Sequence, residues 1–252
     1  MQSRRPVVLI TGGSRGIGAA VAQLAASRGY DVAITYRSEQ EAAEQVLASC
    51  RATGAAAVAC QGDVAVEADV IRMFNEAEAA LGAISHVVNN AGITGRSSPL
   101  EQASADTIRT CIDVNVLGAL WVAREAARRL PKGPSDKAKT IINISSVAAS
   151  LGSPNEYVWY AASKGAIDSL TIGLAKELAG EGIRVNAVSP GMTKTDIHER
   201  STQDPGRLER LRPHIPLNRI GEPDEIAEAV LFLISDAASY ITGANIPVSG
   251  GR

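Results

Sequence analysis

Short β-branched runs alternate with helical patterns along most of this chain, and that alternation limits the fold more than any other feature. Val7 to Thr11, Asp31 to Tyr36, Ala56 to Gln61 and Ile84 to Val88 read as strands. Helical patterns fill the gaps: an Ala-rich stretch reaching about Arg28, then Glu39 to about Thr53, then Glu67 to Leu81. Strands separated by helices cannot pair as hairpins. They pair in parallel, with helices covering both faces. Later strands are expected at Thr140 to Ile144, Ile183 to Val188 and Ile246 to Val248. Between them lie helices over Ala103 to Leu130, Glu156 to Ala179 and Pro223 to Ser235. The expected fold class is α/β, a doubly wound parallel sheet of about seven strands. No repeat or linker divides it, so residues 1–252 read as one domain. Lys132 to Lys139, with Gly133, Pro134 and Ser135, reads as a mobile surface connector, and Met192 to Pro216 as an irregular functional lid.

Ligands gather at the carboxyl ends of the strands in such a sheet. The first strand runs into Gly12-Gly13-Ser14-Arg15-Gly16-Ile17-Gly18 and then a helix. A strand, a glycine loop and a helix start can present backbone N–H groups to a pyrophosphate. The spacing is Gly-x3-Gly-x-Gly, which differs from Gly-x-Gly-x2-Gly. Asp63, Val64, Asn89 and Gly92 also fall at strand ends.

Tyr160 and Lys164 lie four apart on one helix face. A phenol near pKa ~10 must shift by ~3 units, or ~4 kcal/mol, to move protons near neutrality. One positive charge ~4 Å away at an effective dielectric of ~20 supplies about that much. Tyr157 has no lysine at the same offset, because residue 161 is alanine.

Composition excludes several alternatives. The chain is 45% hydrophobic and 21% charged with net charge −2, which gives no electrostatic case for nucleic acid or an anionic membrane. No apolar stretch approaches a membrane span. Cys50, Cys60 and Cys111 lack metal-ligand spacing and read as free thiols in a reducing cytoplasm. His86, His198 and His214 are isolated, so neither a metal site nor a Ser-His-Asp site is expected.

Taken together, Thr11-Gly12-x3-Gly16-Ile17-Gly18, Asp63-Val64, Asn89-Asn90-Ala91-Gly92, Asn115, Ser146, Tyr160-x3-Lys164 and Pro190-Gly191 resemble the short-chain dehydrogenase/reductase family over nearly the whole chain. Within it the chain looks most like 3-oxoacyl-reductase-like and glucose-dehydrogenase-like bacterial members. The resemblance implies a Rossmann fold with a cofactor half at about 1–140 and a catalytic and substrate half at about 140–252. It implies an oxidoreductase moving a hydride between nicotinamide and a carbonyl or alcohol. The competing reading is a catalytically silent dinucleotide-binding sensor or scaffold, which usually lacks a member of the catalytic set.

The implied tetrad is Asn115, Ser146, Tyr160 and Lys164. Tyr160 would be the acid or base and Lys164 would lower its pKa and bond the nicotinamide ribose. Ser146 would donate to the substrate oxygen, and Asn115 would hold a water feeding Lys164. Only one of Ser145 and Ser146 can point into the site from a strand end, and Ser146 falls where the relatives place theirs. Gly12, Ser14, Arg15, Gly16, Ile17 and Gly18 would hold the pyrophosphate side, with Asp63 and Val64 at the adenine. Asn89, Ala91 and Gly92 would line the adenosine ribose. Pro190, Gly191 and Thr193 would meet the carboxamide, with Thr195 a second candidate.

The second strand ends at Tyr36, not at a carboxylate, and Arg37 follows. Arg37 and Arg15 would converge on a 2′-phosphate, so NADP is expected over NAD. The substrate pocket is expected from Ala148, Ser153, Glu156, Tyr157, Gly191, Met192 and the 193–216 segment. There Glu156 would favour a polyol or a cation, or only start a helix. The family resemblance also implies a homotetramer, using small residues at Ala162, Ala166, Ser169 and Gly173.

Overall fold

In a computed structural model, which describes residues 5–133, 138–202, 204 and 206–252, β1 (Val7–Ile10) is buried along its whole length. Alternate side chains serve opposite faces. Val8 and Ile10 enter one core with Val32, Ile34, Val21 and Leu231. Val7 and Leu9 enter the other with Met73, Phe74, Val122 and Leu178. A strand apolar on both sides is what a parallel sheet covered by two helix layers requires. The remaining strands are β2 (Asp31–Tyr36), β3 (Ala57–Gln61), β4 (Ile84–Asn89), β5 (Thr140–Ile144), β6 (Arg184–Pro190) and β7 (Asn245–Val248). They form one sheet in the order β3-β2-β1-β4-β5-β6-β7, and every pairing is parallel. The order reverses between β1 and β4, so a crevice opens beyond their carboxyl ends.

Helices α1 (Gly16–Ser27), α2 (Gln40–Ala52) and α10 (Pro223–Ile234) cover the first face. Helices α3 (Glu67–Leu81), α5 (Ala119–Arg129) and α7 (Val158–Leu178) cover the second. The shorter helices are α4 (Ala105–Ile112), α6 (Ala148–Leu151), α8 (Asp196–Thr202) and α9 (Arg207–Leu211). Among the described residues no helix is long and apolar enough to cross a membrane.

Two expected elements differ. The single helix expected over 103–130 is divided into α4 and α5 by a π-helical turn, Asp113–Gly118, which holds Asn115. Such turns insert one residue into the helical repeat and re-aim the side chains around it. The helix expected to begin at Glu156 begins at Val158, so Glu156 does not lie in a first helical turn. Of the connector expected to be mobile, residues 134–137 lie outside the described residues.

Candidate active site

A cavity of about 690 Å³ occupies the crevice. It is lined by Gly12, Ser14, Arg15, Gly16, Ile17, Arg37, Asp63, Val64, Ala91, Gly92, Ser146, Tyr160, Lys164, Pro190, Gly191, Thr193 and Thr195. The fold therefore brings most of the sequence candidates together. Three do not line it. Asn89 is the last residue of β4 and points inward, donating to Ala119 O at 3.0 Å and Asn143 Oδ1 at 3.3 Å. The neighbouring Asn90 lines the cavity instead. Its Nδ2 donates to Thr11 O at 2.8 Å and Gly12 O at 3.1 Å, fixing the glycine loop. Gly18 lies behind that loop, where a Cβ would come 2.4 Å from Gly12 O and 2.6 Å from Asn90 Nδ2. Its role is close packing of α1 on the loop. Asn115 is the third and sits beneath Gly92.

At the loop, α1 starts after Arg15 with no side chain capping its first N–H groups. Gly16 and Ile17 present that helix end to the cavity. Uncapped N–H groups and the positive end of the helix dipole suit an anionic group.

The polar cluster lies at the opposite end. The Tyr160 phenol and the Ser146 hydroxyl lie close enough to interact. The Ser146 hydroxyl also accepts from Ala148 N at 3.1 Å. Ser145 points the other way, donating to Asp168 Oδ1 at 2.5 Å and Lys164 O at 3.2 Å. Lys164 is buried, and its Nζ donates to Ile144 O at 2.7 Å. The ammonium stands 5.7 Å from the centroid of the Tyr160 ring. Burial pulls the Lys164 pKa down to about 8.

Burial acts on Tyr160 in the opposite sense and pushes its phenol above the ordinary value, while the nearby Ser146 hydroxyl offsets only part. The expected lowering by Lys164 is therefore not what this arrangement produces. The ammonium lies beside the ring and is bonded to a carbonyl, whereas the half-buried phenol has no charge-assisted hydrogen-bond partner among the described residues.

The Asn115 side chain is consumed within the protein. Its Oδ1 accepts from Ile93 N at 2.8 Å, and its Nδ2 donates to Ile93 O at 2.8 Å and Ser163 Oγ at 3.0 Å. The π turn thus braces the strand end that carries Gly92.

At the far end of the cavity, Tyr36 closes β2, and Arg37 Nη1 lies 3.7 Å from Asp63 Oδ2. Arg15 pairs with Glu39 and, through Nε at 3.3 Å, with Asp196. The two guanidiniums line one cavity, but each is paired with its own carboxylate, so they do not converge as a bare pair. Glu39 was not expected here. The only sequence signal for it was a carboxylate three residues past the strand end. Asp63 does not cap α3, which starts at Glu67 after Val66. Its Oδ1 accepts from Ala65 N at 3.0 Å.

On the polar-cluster side the expected Ala148, Ser153, Glu156, Tyr157, Gly191 and Met192 all line the cavity. Ile197 and Leu211 join them from the expected 193–216 segment, whereas Leu151, Pro154 and Arg252 also line the cavity and were missed. Glu156 is not available to a cation, since Arg207 holds its carboxylate at 2.6 Å. No group of three or more His, Cys, Asp or Glu side chains able to hold a metal occurs among the described residues.

A family model described as enoyl-(acyl carrier protein) reductase matches residues 12–252. The uncharacterized oxidoreductase YgfF of Escherichia coli K12 is 43% identical over 246 residues, spanning 98% of this chain and 99% of its own. The chain belongs to the short-chain dehydrogenase/reductase family. Another member, the 3-oxoacyl-[acyl-carrier-protein] reductase FabG of Staphylococcus aureus Mu50, is 38% identical over 243 residues and 96% of each chain. The crystal structure of a short chain dehydrogenase from Burkholderia cenocepacia J2315 in complex with NADP superposes with a TM-score of 0.90. It shares 35% identity over 99% of both chains. The glycine loop and the Ser146, Tyr160 and Lys164 side chains line one cavity of this family member.

Proposed function

We propose that this chain is an NADP(H)-dependent oxidoreductase that interconverts a carbonyl and an alcohol, with Tyr160 as the acid and base. The observation that carries this reading is a single cavity joining the uncapped start of α1 to the Ser146–Tyr160–Lys164 cluster. One end suits a pyrophosphate and the other a carbonyl. The retained tetrad disfavours a silent sensor.

In this reading Gly12, Ser14, Gly16, Ile17 and Gly92 hold the dinucleotide, with Asp63 and Val64 at its adenine and Pro190, Gly191, Thr193 and Thr195 at its carboxamide. Arg15 and Arg37 hold the 2′-phosphate, exchanging Glu39 and Asp63 for a stronger partner. Bound there, the reduced cofactor supplies the hydride. Ser146 donates a hydrogen bond to the substrate oxygen as negative charge develops on it. Tyr160 gives its proton to the same oxygen. Burial keeps the phenol protonated at neutral pH, which suits an acid in the reducing direction. Lys164 faces the ring, holds the nicotinamide ribose and stabilises the phenolate left behind. The side chain of Asn115 is spent on Ile93 and Ser163, so its water is assigned to the main chain of the π turn.

The chain is taken as one domain, its cofactor half (about 1–140) and catalytic half (about 140–252) sharing one sheet. A homotetramer is proposed. Ala162, Ser169 and Gly173 face outward on α7, Ile172 is exposed beside them, and Leu117 and Leu120 are exposed near the start of α5. Light scattering should give four times the chain mass of 26.2 kDa, and a single-chain mass would refute the assembly. The three buried free cysteines favour a reducing cytoplasm. To test the reaction, the purified protein is incubated with NADPH deuterated at the transferable position and a panel of ketones, β-keto esters and aldehydes. Deuterium in an alcohol product supports it, and none with any carbonyl sinks it.

A further inference from the structure

Arg207 opens α9, and only 2% of it is exposed, which is unusual for a guanidinium. A buried cation is tolerated only when its N–H groups are met. Arg207 Nε donates to Glu156 Oε1 at 3.2 Å, and Nη2 donates to Glu156 Oε2 at 2.6 Å. That fork is bidentate on one carboxylate. Nη2 also donates to Tyr157 Oη at 2.6 Å, and Nη1 lies 3.8 Å from Met192 Sδ. The Glu156 side chain is 36% exposed, so the pair spans from the interior to the rim.

The segment that Arg207 grips is not held by local preference. Between α6 and α7 the backbone turns left-handed at Gly152, at Ser153 with φ 45° and at Asn155 with φ 62°. Serine gains nothing from that conformation, so tertiary contacts must hold it. Ser98 N donates to Glu156 O at 2.7 Å, and Ser97 N to Ser201 O at 2.9 Å, tying α8 to the same rim. Beyond the clasp, the Tyr157 ring stands edge-on to Tyr160, with centroids 5.5 Å apart and planes at 88°. A continuous path of contact therefore runs from α9 through Arg207 and Tyr157 to the proposed acid.

We infer that Arg207 is a positioning residue, clasping α9 to Glu156 and Tyr157 so that the substrate end closes and the Tyr160 ring is held for proton transfer. The inference rests on the proposed carbonyl reaction. It also sets a substrate preference. With Glu156 neutralised, the wall of Tyr157, Met192 and Leu211 favours an uncharged group beside the carbonyl.

The test compares the unmutated protein with Arg207→Met, Arg207→Lys and the exchanged pair Glu156→Arg/Arg207→Glu. The first arm is amide hydrogen exchange without cofactor. In Arg207→Met, amides of 152–157 and 207–212 should exchange at least about tenfold faster, as expected for losing a charge-assisted hydrogen bond. Those of β1, β4 and the glycine loop should not change. The second arm uses NADPH with ethyl acetoacetate, a β-keto ester, as probe. Arg207→Met should raise the KM of the ester at least about tenfold and lower kcat, while the Kd of NADPH stays within about twofold. Arg207→Lys or the exchanged pair should recover part of both losses. Unchanged exchange in Arg207→Met overturns the clasp. Faster exchange with unchanged KM and kcat overturns the positioning role. If the unmutated protein binds NADPH but reduces no carbonyl, the reaction fails, and the exchange arm alone decides the clasp.

Discussion

Replacing Tyr160 with Phe removes one oxygen and leaves the surrounding packing in place. The ring keeps its edge contact with Tyr157 and its place beside the Lys164 ammonium. What disappears is the hydroxyl that lies beside Ser146 and, in the proposed reaction, protonates the substrate oxygen. A positioned general acid contributes about 10²–10⁴-fold, so kcat should fall by that factor, or about 2.7–5.5 kcal/mol. Losing one hydrogen bond changes stability by about 1 kcal/mol, a few degrees in Tm at most for a chain of this length. In the proposed binding mode the glycine loop and the arginines hold most of the dinucleotide, so the Kd of NADPH should stay within about twofold of the unmutated value. Initial rates at saturating NADPH, with NADPH fluorescence titrations alongside, separate these quantities. A variant keeping more than about a tenth of kcat, a loss below ~1.4 kcal/mol, would show that Tyr160 is not the acid.

Gly18→Ala should weaken NADPH binding, because its Cβ would meet Gly12 O at 2.4 Å. Overpacking of about 1–3 kcal/mol corresponds to a roughly 5- to 150-fold rise in Kd, whereas Gly180→Ala, which meets nothing within 4 Å, should leave Kd unaltered. His86 makes stability depend on pH. It is buried, bonded to Thr140 Oγ1 at 3.0 Å and packed on Tyr30, and burial with the nearby Arg184 charge holds its pKa down to about 3. The unfolded chain binds a proton at this histidine below about pH 6.5, so its neutral form favours folding fully above that value. That contribution drains away as pH falls from about 6.5 to about 3, by roughly 2 kcal/mol between pH 7 and pH 5. Urea unfolding at those two pH values should show that extra loss in the unmutated protein and not in His86→Gln; equal losses would refute it.

The sheet was legible because its central strands are buried on both faces and are rich in apolar residues, unbroken in Val7–Ile10 and interrupted only by Asn143 in Ile141–Ile144. Spans such as Asp31–Tyr36, Glu67–Leu81 and Thr140–Ile144 lie where the pattern puts them. The π turn at Asp113–Gly118 left no mark, since one inserted residue barely disturbs a helical period read over a long window. At Asn89-Asn90 the error was one of alternation. Extending β4 by one residue turns Asn89 inward and leaves Asn90 on the cavity. Glu156 and Arg207 are 51 residues apart, and Arg15 and Glu39 are 24 apart. No periodicity links such partners, so only the fold shows that these charges are already paired. Desolvation of Tyr160 was equally invisible, because burial is a property of the assembled cavity and not of the helix that carries the residue.

The preference for NADP(H) depends on Arg15 and Arg37 leaving Glu39 and Asp63 for the 2′-phosphate. The most direct measurement is the ratio of kcat/KM for NADPH and NADH in the unmutated protein, with one carbonyl substrate and one salt concentration. Either charge-assisted contact, at roughly 1.5–3 kcal/mol, predicts a ratio of at least about tenfold in favour of NADPH. A ratio favouring NADH would mean that the carboxylates keep their arginines, and would contradict the cofactor assignment.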